Sequence, residues 1–87
     1  MADAVQQIQD FLKTYFPVEI VAGRPCYRIP GGYAILNYIP SLECVVAEYG
    51  RSKWDVEHHF LEDGDLFPIR LGAKEVCELL KSEMEEG

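Results

Sequence analysis

The sequence predicts an α+β domain, an antiparallel meander of four to five strands flanked by an N-terminal and a C-terminal helix packed on one face. Three observations carry this. Apolar residues recur at helical spacing near both ends of the chain. Between residues 18 and 61 the period falls to two. The turns there are too short for parallel crossovers, so consecutive strands pair antiparallel. The 87 residues fit a single domain, 1–87, in the order α-β-β-β-β-β-α.

The first helix spans about residues 3–15. Val5, Ile8, Leu12 and Tyr15, with Phe11 alongside, form its apolar stripe. Asp3 reads as the N-cap and Gln6, three positions on, completes a capping box. Pro17 lacks an amide hydrogen and ends the helix before it.

The sheet occupies about residues 18–61. Its runs are VEIVA, CYRI, YAILNYI, LECVVAEY and KWDVEHHFL, divided by Gly23-Arg24-Pro25, Pro30-Gly31-Gly32, Pro40-Ser41 and Gly50-Arg51-Ser52. In the fifth run, alternation puts Trp54, Val56, His58 and Phe60 on the core side, with Lys53, Asp55, Glu57 and His59 opposite. The two central runs are apolar on both faces, which marks the middle of the sheet or a face available for homodimerisation. Leu66-Phe67-Pro68-Ile69 is too short for a central strand. The second helix spans about residues 73–85, capped by Gly72, with Ala73, Val76, Cys77, Leu80 and Met84 along one face.

Composition narrows the function. The chain is 48% hydrophobic with 11% aromatics, a globular profile, and carries a formal charge of −7. Such a charge excludes direct nucleic-acid binding through phosphate neutralisation. No apolar run reaches the roughly 20 residues of a membrane-spanning helix, and the N-terminus lacks the basic opening of a signal peptide. Three cysteines (Cys26, Cys44 and Cys77) are an odd set without C-x-x-C spacing, so they read as reduced core residues of a cytoplasmic protein.

Chemical motifs are sparse. His58 and His59 are neighbours, and on a strand they would point to opposite faces. Asp55, Glu57 and His59 would share one face at about 6.6 Å spacing, the basis for an alternative reading as a metal-dependent or small-ligand enzyme. Glu62-Asp63-Gly64-Asp65 resembles a calcium-loop fragment, but position twelve counted from Asp63 is Lys74, where a glutamate is required. Pro30-Gly31-Gly32 precedes a strand, whereas phosphate loops precede helices. These residues call for no cofactor and no catalytic group.

Charge carries more information by position than by total. Residues 61–87 hold eight carboxylates against three cations, so −5 of the −7 lies there. Carboxylates at a helix C-terminus oppose its dipole, so Glu83, Glu85 and Glu86 are not placed for helix stability. The leading expectation is a non-enzymatic interaction module that presents Glu62, Asp63, Asp65, Glu78, Glu83 and Glu85 to a basic protein, with exposed tyrosines as anchors.

The segment EDGDLFPIRLGAKEVCELLKSEM, residues 62–84, resembles the closing segment of short uncharacterised proteins encoded by phages and prophages of gut Firmicutes. The resemblance implies a mobile-element origin and, with it, an inhibitor or regulator that binds a host protein.

Overall fold

The computed structural model of the chain describes residues 2–86, with side chains from residue 4 onward. Helix α1 (Ala2–Tyr15) leads into β1 (Val18–Val21), β2 (Arg24–Ile29), β3 (Gly32–Ile39) and β4 (Cys44–Gly50). A short helix α2 (Lys53–Glu57) follows, then β5 (Glu62–Asp63), β6 (Phe67–Pro68), a 3-10 turn (Ile69–Leu71) and helix α3 (Ala73–Glu86). The sheet runs β1-β2-β3-β4 as an antiparallel meander. Two short strands share the outer edge of β4, β5 beside Glu48 and Tyr49 and β6 beside Cys44 and Val45. The α+β architecture with terminal helices is therefore the predicted one.

The hairpins follow from local chemistry. Ala22 and Gly23 both take positive φ, 53° and 76°, which matches the right-handed twist of β1 and β2 in a two-residue turn. Gly32 is required for a different reason. A Cβ there would collide with the backbone of Gly50 and Arg51, so the β2–β3 turn can lie directly against the end of β4.

One face of the sheet meets both long helices. Tyr27, Ala34, Val45 and Ala47 from the strands pack with Ile8, Leu12 and Phe16 of α1 and with Val76, Cys77, Leu80 and Met84 of α3. This is the helical periodicity of the sequence converted into a core. The opposite face is covered at one corner, where Val21, Cys26 and Ile35 pack around Val56 of α2, with Tyr33 and Leu61 beside them. The two-sided apolar character of the central strands thus has an intramolecular explanation in part. Cys26, Cys44 and Cys77 are free and buried. Burial pushes the Cys26 and Cys77 thiols up, away from the nucleophilic thiolate.

Two expectations require correction. Residues 53–61 are not a fifth long strand. Ser52 is the N-cap of α2 and its hydroxyl accepts from the Asp55 amide at 3.3 Å, while the Asp55 carboxylate accepts from the Arg51 amide at 3.1 Å. This reciprocal capping satisfies amides that a strand would have left to a neighbour. At the other end, Phe60 N–H bonds the Asp55 carbonyl and His59 N–H the Val56 carbonyl, with His59 at φ 61°: a Schellman closure. Secondly, α1 already includes Asp3, which places that residue inside the helix; its side chain lies outside the described residues. Gln6 instead donates to Asp10 Oδ1, one turn on, at 2.9 Å.

Candidate functional site

Replacing a strand by α2 redistributes the residues that alternation had sorted. Of Trp54, Val56, His58 and Phe60, Val56 alone is buried. Trp54 and His58 lie four residues apart on one side of the helix and stack at 4.1 Å between ring centroids. The Schellman turn folds Phe60 back onto the indole, nearly parallel at 6° and 5.3 Å away. His58 Nδ1 donates to the Trp54 carbonyl at 2.8 Å, which fixes the imidazole over the indole. Trp54 remains 54% exposed and Phe60 62%. Two large aromatics held in fixed geometry at the surface form a platform, and the core does not use it.

The acidic turn begins two residues beyond Phe60. Glu62 and Asp63 pair with Tyr49 and Glu48 on the edge of β4, with both side chains exposed. The turn is fastened from α3. Glu83 accepts the Tyr49 hydroxyl on one carboxylate oxygen and the Asp65 amide, at 2.9 Å, on the other. Gly64 lies under that carboxylate, where a Cβ would collide with it, and Gly64 N–H is held by the Ala47 carbonyl at 2.8 Å. Burial, followed by the Glu83 hydrogen bond and charge, pushes the Tyr49 hydroxyl well above its ordinary value. The Tyr49–Glu83 contact is therefore between a neutral phenol and a carboxylate.

The six predicted acidic residues do not form one face. Glu62, Asp63 and Asp65 are exposed together along the turn. Glu83 supports them from beneath and spends its oxygens inside the protein. Glu78 and Glu85 belong elsewhere, bordering a cleft between α1 and α3 with Phe11, Tyr15 and Lys81. Lys81 Nζ binds Glu85 at 2.9 Å and lies 4.7 Å above the Tyr15 ring. Of the tyrosines expected as anchors, Tyr15 is exposed, Tyr27 is buried and Tyr49 is latched to Glu83.

The alternative trio is dispersed. Asp55 caps α2, while Glu57 and His59 are exposed around a helix end where residues two apart diverge. The shared strand face on which a metal or ligand site depended does not exist. Among the described residues no group of three or more His, Cys, Asp or Glu side chains is placed to hold a metal ion. Also among the described residues, no helix is long and apolar enough to cross a membrane.

The cations gather on the sheet's α2 side. Glu19 binds Lys53 at 2.8 Å and Arg28 at 3.7 Å, joining β1, β2 and the start of α2. The hydrogen bond from Lys53 holds the Glu19 carboxyl below its ordinary value, and Glu19 in turn holds the Lys53 ammonium above its own.

No family model, curated protein or solved structure matches the chain. The site therefore stands on its geometry.

Proposed function

We propose that the chain is a non-enzymatic protein-interaction module that docks on a basic protein surface through the Trp54–His58–Phe60 platform and the acidic turn beside it. The exposure of two stacked large aromatics carries the reading. Binding energy at protein interfaces concentrates in aromatic residues at the centre of the contact, ringed by polar groups that exclude water. Glu57, Glu62, Asp63 and Asp65 supply such a rim on the sequence-adjacent side. Their charge would accelerate encounter with a basic partner and make it salt-sensitive. An inhibitor of phage type is the form of this function favoured by the resemblance of residues 62–84. In that form the carboxylates would occupy the phosphate-binding face of a host enzyme.

The experiment is capture from a lysate of the source organism with three baits: the wild-type chain, Trp54→Ala, and the triple variant Glu62→Lys, Asp63→Lys, Asp65→Lys. The expected result is a basic protein retained by the wild type at low salt and released at high salt. Its affinity falls about tenfold or more for each variant, the effect of losing roughly 1.4 kcal/mol at a central contact. Equal retention by all three baits, with their circular dichroism unchanged, refutes the assignment of the surface.

A further inference from the structure

We infer that the hollow between the β2–β3 turn and the start of α2 binds a phosphate monoester group in its dianionic form. The hollow has a volume of about 430 Å³, and its lining includes Arg28, Gly31, Tyr33, Arg51, Ser52 and Lys53. Three segments of the chain converge there. Arg28 and Tyr33 stand opposite one another on β2 and β3, and Tyr33 packs on the α2 side, so both side chains project to that face. Gly32 lets the β2–β3 turn lie against the backbone of Gly50 and Arg51. Ser52 caps α2, which begins at Lys53, and the Lys53 ammonium lies 2.8 Å from Glu19 on the same face.

The charged residues lining the hollow, Arg28, Arg51 and Lys53, are all cations, on a chain whose net charge is −7. One carboxylate, Glu19, is shared by two of them. It binds Lys53, but Arg28 Nε stays 3.7 Å away, too far for a hydrogen bond, so the Arg28 donors are not spent on it. Among the described residues the Arg51 guanidinium makes no ion pair. Arg51 also borders a neighbouring hollow with Glu62 and Asp63, while the Asp55 carboxylate is taken up by the Arg51 amide and lines neither. Three cations against the one carboxylate leave a local surplus of two positive charges.

That surplus specifies the occupant. A phosphate monoester carries about −1.5 to −2 near neutral pH and offers three strong acceptor oxygens, whereas a carboxylate brings half the charge and two oxygens. The planar forks of Arg28 and Arg51 match phosphate oxygens in pairs, and Lys53 adds a point charge. The Ser52 hydroxyl accepts from the Asp55 amide and keeps its own hydrogen to donate. The hollow is open to solvent, so it would hold the phosphate and leave its carrier outside. A small phosphate ester and a phosphorylated side chain present the same group to it. The proposal does not rest on the docking function above, which uses the aromatic rings and the acidic turn.

The test is an amide NMR titration of the full chain, near pH 8 and at low salt, with three probes at matched ionic strength. These are inorganic phosphate, a short peptide carrying one phosphoserine, and acetate. The first two should give saturable shifts at Arg28, Gly31, Arg51, Ser52 and Lys53, and acetate should bind at least about tenfold more weakly. Arg51→Gln should weaken both phosphate probes about tenfold, with Arg28→Gln in its place if circular dichroism shows the first variant unfolded. Lys74→Gln removes the same charge from the exposed side of α3 and should leave binding unchanged. A phosphopeptide held about tenfold more tightly than free phosphate supports the site with a phosphorylated protein as its source; equal affinities support it with a small phosphate ester. The absence of saturable shifts, an equal response to acetate, or equal losses in Arg51→Gln and Lys74→Gln overturns the proposal.

Discussion

His59 shows how a single backbone angle decides between structural and chemical roles. It holds φ 61° at the C-terminal closure of α2, in the left-handed region that costs a side-chain-bearing residue about 1–2 kcal/mol. Its imidazole is exposed, so the residue is tolerated there without being needed for the core. Replacing it by glycine removes the Cβ conflict and adds some unfolded-state entropy. His59→Gly should therefore raise stability by about 0.5–1 kcal/mol in urea denaturation, while the circular dichroism keeps its shape. A loss of stability would mean that the imidazole makes a contact worth more than the strain. The same angle explains why His59 is no strand residue and shares no face with Asp55 and Glu57.

At the scale of elements, the segments readable in the sequence are those whose side chains repeat over several turns or across several hairpins. The stripe Ile8, Leu12 and the set Val76, Cys77, Leu80, Met84 are buried as their spacing requires, and turns such as Ala22-Gly23 hold consecutive strands antiparallel. Helix α2 was not legible from periodicity, because five residues with one buried side chain alternate as a strand does. The decisive signal was Ser52 with Asp55 three positions on, a capping pair that outweighs alternation. The acidic site was legible in amount but not in grouping. Glu78 and Glu85 are two turns apart and face together, while Glu83 lies about 140° away from Glu78 and reaches the 62–65 turn. That difference is measurable. Glu83→Ala removes an acceptor shared by Tyr49 and Asp65, and should lower stability by about 2 kcal/mol, with faster hydrogen exchange at the Asp65 amide. An unchanged stability and exchange rate would return Glu83 to the set of carboxylates free for a partner.

For the whole molecule, two phenols fasten the sheet to its two long helices. Tyr27 of β2 donates to the Gln9 carbonyl of α1 at 3.1 Å, and Tyr49 of β4 donates to Glu83 of α3. Burial first, then the Asp10 and Cys77 charges, push the Tyr27 hydroxyl up to about 12. Burial, and then Glu83 and Asp65, push Tyr49 in the same direction. In the unfolded chain both ionise near the ordinary tyrosine value of about 10. Below that pH the folded and unfolded states hold the same phenolic protons, and the full stability is present. Above it the unfolded state releases protons that the native state retains, so stability falls as pH rises from about 10 toward 12. Loss of either proton also removes the donor of its latch, and at Tyr49 sets a phenolate against a carboxylate. Alkaline unfolding should therefore release both helices from the sheet in one transition. The check is urea denaturation at pH 8, 10 and 11 for the wild type, Tyr27→Phe and Tyr49→Phe. Each variant starts less stable at pH 8 and loses less between pH 10 and 11 than the wild type. An alkaline slope identical in all three chains would show that neither latch controls it.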